Sequence, residues 1–294
     1  MLMDESDNAV QELPTSPISE HQITPTILKF FGLKQLPFSL SPNPRYFYLD
    51  SQHEAILAKI MYMVENRQGL SLIVGDIGSG KTSLSRLVFN EYADKPEHIV
   101  KYVTNPHLNT KNQFLRLICD EFGIPTTRDF YTQLKNFQAY LGESYEKKLS
   151  PILIIDEAQV LKGAQLELIR QILNYETDRS KLIQILLFGQ SEIHNRLRLK
   201  KNVKSRIATY ANLDAITLEG TKDLINFRVN VAGRQKPLFT DEAINEIYKV
   251  SKGNPRATIT ICLNSIPLAF RNNQDTIDQG VIKEAIGETI YEQR

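Results

Sequence analysis

Between residues 70 and 218 the chain alternates two apolar patterns. Short apolar runs at 70–74, 99–103, 152–156, 182–188 and roughly 209–218 read as strands. Between them, 81–93, 110–122, 129–147, 163–177 and 191–199 read as helices. An apolar run without alternation is a strand buried on both faces, and helical segments between such strands imply a parallel sheet covered on both sides. Upstream, Asp50 or Ser51 can cap a helix running to about Asn66, with Ile56, Ile60 and Met63 on one face. After Leu218 the strand signals stop, and 220–294 read as three or four helices with breaks at Gly233, Pro237, Gly253 and Pro255. The expected organisation is an α/β domain over 26–218 built on a five-stranded parallel sheet, then a small helical domain over 219–294.

Two stretches near the start depart from this rhythm. Residues 1–25 are polar, lack aromatics and read as a disordered arm. From Ile27 to Tyr48, Phe30, Phe31, Phe38, Tyr46, Phe47 and Tyr48 crowd between Pro37, Pro42 and Pro44. This segment reads as extended chain packed onto a domain, not as a helix.

Composition narrows the class modestly. The 294 residues carry a net charge of +1, but residues 1–22 hold Asp4, Glu5, Asp7, Glu12 and Glu20 and no Lys or Arg. The body is therefore mildly basic behind an acidic arm, which is compatible with a polyanionic partner. The two cysteines, Cys119 and Cys262, sit in helical apolar patterns and read as reduced and buried in a cytoplasmic protein. No run reaches membrane-spanning length, no Cys/His cluster has metal-ligand spacing, and the start lacks a signal-peptide layout.

The candidate chemistry begins at Gly75-Asp76-Ile77-Gly78-Ser79-Gly80-Lys81-Thr82, followed by Ser83. This fits G-x-x-x-x-G-K-[ST] at every fixed position, with an apolar strand before it and a helix after it. Glycines let the backbone N–H groups fold around phosphate oxygens, and the helix start adds a positive dipole end. Lys81 can reach the β and γ phosphates, and Thr82 can hold Mg²⁺. The second strand end of interest is Ile152-Leu153-Ile154-Ile155-Asp156-Glu157. Two acids at the carboxyl edge of a parallel sheet suit a metal ligand, Asp156, and a residue that orients attacking water, Glu157. Gln190 ends a third buried run and reads either as a turn residue or as a donor to the γ phosphate or the lytic water. Five of the ten residues from Leu197 to Arg206 are basic. They read either as a solvated helix end or as the source of an arginine finger for a neighbouring subunit, with Arg206 first and Arg198 second. Arg256 opens a helix in the C-terminal domain, as a surface residue or as a reach to the γ phosphate.

In order along the chain, these elements resemble an AAA+ P-loop NTPase, and within that class the ExeA/TnsC-like branch, over roughly residues 28–280. The stretches that carry the resemblance are Phe31-Gly32-Leu33 with Leu36-Pro37-Phe38, Pro44-Arg45-Tyr46-Phe47-Tyr48 with His53-Glu54-Ala55, and Asp156-Glu157-Ala158-Gln159-Val160-Leu161. The stretch from Leu168 to Thr177, Leu187-Phe188-Gly189-Gln190 and the turn Gly253-Asn254-Pro255-Arg256 complete it. The resemblance implies an ATP hydrolase with Mg²⁺, with Gln190 as sensor 1, Arg206 as trans finger, Arg256 as sensor 2 and the helical domain as a lid. It also implies self-assembly into a ring or helical filament with ATP at each subunit interface. By placement in such a ring, Lys111, Lys147 and Lys148 are candidates for contact with double-stranded DNA, with Lys101 and Arg128 behind them. The segment around Tyr46–Tyr48 is expected to border the adenine.

Three roles fit this engine. The first is a DNA-bound regulator of transposition, similar to TnsC and MuB, that marks a target without sequence preference and answers to a transposase and a target-selection protein. The second is an ExeA-like secretion or envelope-assembly ATPase. The third is a regulatory scaffold NTPase with little turnover. A chain with no membrane span after the lid is expected to favour the first over the second, and the presence of Glu157 and candidate fingers disfavours the third.

Overall fold

The computed structural model describes residues 20–41 and 43–291. Five strands, β1 (Leu70–Gly75), β2 (His98–Val103), β3 (Ser150–Ile155), β4 (Gln184–Gly189) and β5 (Ile207–Leu213), form one parallel sheet in the order β2-β3-β4-β1-β5. The helices around the sheet are α2 (Ser51–Glu65), α3 (Lys81–Ala93), α4 (Lys111–Glu121), α5 (Phe130–Glu146), α6 (Gly163–Ile172), α7 (Ile193–Arg198) and α8 (Lys201–Lys204). Alternate strand residues divide between two cores. Leu72, Val74, Leu153, Ile155, Ile185 and Leu187 pack with Phe114, Phe137 and Leu168 of α4, α5 and α6. Ile73, Ile152, Ile154, Leu186 and Phe188 pack with Ile60 of α2 and Leu84 and Val88 of α3. Both sheet faces are therefore dry, which is why β1, β3 and β4 read as unbroken apolar runs.

Local signals set the helix ends. Asp50 caps α2 by accepting from His53 N at 2.8 Å. Thr110 and Gln113 close a capping box on α4. Each such cap satisfies N–H groups that the first turn leaves without a helical partner.

The C-terminal helices are α9 (Leu218–Val231), α10 (Asp241–Ser251), α11 (Pro255–Arg271) and α12 (Gln279–Tyr291). They share a core with the N-terminal segment. Ile27, Phe31, Leu33, Phe38 and Tyr46 pack with Ile225, Phe239, Ile247, Cys262 and Ile282. Here the structure differs from the sequence expectation. Residues Glu20–Phe31 form a helix, α1, in place of extended chain from Ile27 onward. Ile27 and Phe31 stand four residues apart, so both reach the same helical core. The arm expected over 1–25 lies outside the described residues as far as residue 19, and α1 takes in its last residues.

Candidate nucleotide site

β1 ends at Gly75 and α3 starts at Lys81, and the loop between them places Gly78 at φ +81° and Gly80 at φ +101°. Those left-handed values favour glycine. Gly75 is required for room instead: a Cβ there would lie 2.6 Å from the Leu213 carbonyl oxygen. No side chain caps the start of α3, so its leading N–H groups remain available to an anion. Lys81 is buried, and its Nζ donates to the carbonyls of Gly75 at 2.8 Å and Asp76 at 2.7 Å. Burial pulls its pKa below the ordinary lysine value, while the charges of Glu157, Asp156, Asp76 and Glu192 pull it back up.

Asp156 leaves the carboxyl end of β3 and is buried. Its Oδ2 accepts from Thr82 Oγ1 at 2.7 Å and from the Tyr102 hydroxyl at 3.2 Å, and its Oδ1 accepts from Glu157 N at 2.9 Å. Tyr102 also meets Ser85 Oγ at 2.6 Å, and burial pushes its phenol up to about 12, so it stays protonated. A hydroxyl and a carboxylate side by side are the hard oxygen donors Mg²⁺ prefers, with phosphate and water completing its shell. Among the described residues no three His, Cys, Asp or Glu converge on a metal position, so the protein offers no complete cage of its own. Ser79 Oγ is buried in this loop with no hydrogen-bond partner, a group that a phosphate oxygen or its water would satisfy. The residues thus fit Mg²⁺ and a nucleoside triphosphate. Thr82 and Asp156 would hold the ion, which supplies charge neutralisation on the phosphates.

Glu157 takes a left-handed backbone, φ +52°, uncommon for a residue with a side chain. It turns the chain out of β3 toward β4, which lies between β1 and β3. Gln190 Nε2 donates to Glu157 Oε2 at 3.3 Å, and Gln190 N donates to Gln159 Oε1 at 3.0 Å. Gln159 Nε2 donates to the same Glu157 oxygen. Gln159 therefore ties the two residues together, a role its place in the Asp156–Leu161 stretch did not reveal.

Gly78–Ser83, Glu157 and Gln190 line a cavity of about 320 Å³ together with Tyr46, Phe47, Tyr48, Leu224, Arg228, Arg256 and Ile259. Tyr46–Tyr48, the segment expected to border the adenine, line this cavity, as does Arg256 at the start of α11. Sequence reasoning missed Arg228, a buried cation on α9 that donates to the Pro37 carbonyl at 3.1 Å and lies over the Tyr46 ring at 5.6 Å. It missed His53 as well, whose ring meets Phe47 edge-on at 5.2 Å.

Other expected residues stand elsewhere. Arg206 and Arg198 are exposed and do not line the cavity. Arg206 precedes β5, whose first residue pairs with Leu70, so it sits at the amino end of the sheet. Lys111 opens α4 and lies 4.2 Å from the centre of the Phe130 ring. Lys147 and Lys148 follow the far end of α5, whose 17 residues span about 25 Å at 1.5 Å each. The three lysines thus form no single patch. Lys111 instead neighbours Phe130 and the 73 % exposed Tyr131, and Asn112 donates to the Arg128 carbonyl beside them.

The sheet order, the phosphate loop after β1 and the acids after β3 are those of an AAA+ P-loop NTPase fold. Residues 64–197 match the family described as AAA domain. It is 34% identical over 261 residues to the General secretion pathway protein A of Aeromonas hydrophila, across 87% of this chain and 47% of that one. The chain thus spans about half the length of that relative. Among solved structures, Cdc6p from Pyrobaculum aerophilum superposes with a TM-score of 0.65 at 17% identity, covering 86% of this chain and 70% of that one. The ORC1 protein of Aeropyrum pernix, solved in complex with DNA, gives a TM-score of 0.62 at 17% identity, covering 83% of this chain and 67% of that one. Among the described residues no helix is long and apolar enough to cross a membrane.

Proposed function

We propose that this protein is an ATP hydrolase that assembles with further copies of itself on double-stranded DNA and regulates transposition by marking a target and engaging a transposase. The observation that carries the hydrolase reading is the meeting of Thr82, Asp156, Glu157 and Gln190 at one end of the sheet. Lys81 and the loop N–H groups hold the phosphates, Thr82 and Asp156 hold Mg²⁺, and Glu157 orients water under Gln190. Arg256 reaches the γ phosphate from the lid, and Arg206 of one copy completes the site of another. The DNA reading draws on the branch resemblance and on the exposed cations Lys111 and Arg128, which suit contact with the phosphates of a duplex. A second reading, a secretion or envelope-assembly ATPase, is favoured by the 34% identity to the General secretion pathway protein A.

Imaging by negative stain with duplex DNA separates the two. The first reading expects DNA-coated assemblies with a nonhydrolysable ATP analogue and none without nucleotide, and Glu157→Gln should make them long-lived in ATP. Assemblies that form with nucleotide but leave DNA bare would exclude the first reading and keep the second.

A further inference from the structure

The start of α11 rests directly on the phosphate loop. Asn254 caps the helix, its Oδ1 accepting from Ala257 N at 3.1 Å. The same side chain donates from Nδ2 to the Ile77 carbonyl at 2.6 Å. Two residues on, Arg256 N donates to the Gly78 carbonyl at 3.3 Å. The contact leaves no slack: a Cβ on Gly78 would lie 2.7 Å from Arg256 Cβ and 2.7 Å from Asn254 Oδ1. The phosphate motif leaves position 78 free, so the close approach of α11 is, beside the left-handed φ of +81°, a second reason for glycine there. On its other side the turn is held by the link from β5 to α9, where Ile216 N donates to the Gly253 carbonyl at 2.9 Å.

The geometry points to Asn254 as a positioning residue for ATP hydrolysis, a strap whose amide delivers Arg256 to the nucleotide only while the phosphate loop keeps the conformation seen here. The inference rests on the reading of Arg256 as a phosphate contact. Its chemistry is specific to asparagine. Aspartate, serine and threonine can all accept from Ala257 N as caps, but ionised aspartate has no hydrogen to donate, and a serine or threonine hydroxyl, attached at Cβ, stops one bond short of the position from which Asn254 Nδ2 meets the Ile77 carbonyl at 2.6 Å. Cap and strap are therefore separable by substitution.

A double-mutant cycle tests this on the full chain. Asn254→Ser keeps a capping oxygen, so its melting temperature without nucleotide should stay within about 2 °C of the parent. Its kcat should fall at least tenfold, and Arg256→Ala should cause a similar loss. Combining them should cost no more than about threefold beyond either alone, because an undelivered arginine has little left to lose. Independent, multiplying losses would overturn the strap while leaving the role of Arg256 intact. An Arg256→Ala protein as active as the parent would overturn that role and the strap with it. A collapse of the Asn254→Ser melting temperature would mean that Asn254 serves the fold alone.

Discussion

The two ends of the sheet are built on opposite principles. At the carboxyl end the charged groups are turned inward and tied to one another: Lys81 to loop carbonyls, Asp156 to Thr82 and Tyr102, Glu157 to Gln159 and Gln190. At the amino end Arg206, Lys147 and Lys148 stand in solvent. The cations placed to serve this chain's own nucleotide, buried Lys81 and exposed Arg256, both line the cavity. Arg206 belongs to the second set and does not line that cavity. On the proposed reading the contrast divides one site between copies: most of it pre-organised in one, the remainder offered by Arg206 of another.

Removing the displayed part should have the largest effect. Arg206→Ala should lose about 10³–10⁵ in kcat, the span expected of an arginine finger, with its melting temperature unchanged. Lys81→Ala should be inactive for a different reason, because it lacks its own phosphate grip. Mixing the two inactive variants should then restore turnover, since the Lys81→Ala copy still offers Arg206 to the intact site of its neighbour. A steady-state ATPase assay of the mixture reads this directly. No recovery at any ratio would place the finger elsewhere, and Arg198 would be next to test.

The inward set makes a smaller prediction. Tyr102→Phe removes a 3.2 Å hydrogen bond to Asp156 and leaves Thr82 in place. Partners of this kind orient a metal ligand, and losing one costs about tenfold or more in metal affinity. The Mg²⁺ concentration that half-saturates ATPase activity should therefore rise about tenfold with little change in maximal rate. An unchanged Mg²⁺ dependence would reduce Tyr102 to core packing.

The same division governs what the sequence made legible. Phosphate chemistry fixes residue types at fixed spacing, so Lys81, Thr82, Asp156 and Glu157 stand out, and the glycine before Lys81 sets the boundary of α3 at 81–93. Contacts made across the fold leave no such spacing. Gln159 lies in a quoted stretch, yet its two bonds depend on β4 lying beside β3. Arg228 reads as an ordinary helix cation until α9 is laid on the segment carrying Pro37 and Tyr46. The aromatic segment hides its helix for a related reason. Its prolines suggest extended chain throughout, but they begin at Pro37, and the Ile27–Phe31 pair ahead of them has helical spacing that only the lid core makes visible. Placement in a ring groups Lys111 with Lys147 and Lys148, whereas the length of α5 alone separates them.

The smallest effect, and the sharpest on the inward set, concerns the charge on Lys81. Burial lowers its pKa in the folded protein below the value it has in the unfolded chain. Between those two values the unfolded chain binds more protons than the folded one, so stability rises with pH across that interval. Below the folded value both states are charged and the full burial cost is present, and above the unfolded value it is gone. Relative to Lys81→Met, which cannot titrate, the parent without nucleotide should therefore gain stability as pH climbs toward the ordinary lysine value. Mg·ATP should shrink that gain, because phosphate charge beside the ammonium raises its folded pKa back toward the unfolded one. Paired melting curves of the two proteins across alkaline pH, with and without Mg·ATP, measure the difference. A parent whose advantage falls with rising pH in the absence of nucleotide would mean that Glu157, Asp156 and Asp76 outweigh burial, and that the carboxyl end of the sheet already balances its lysine without a phosphate.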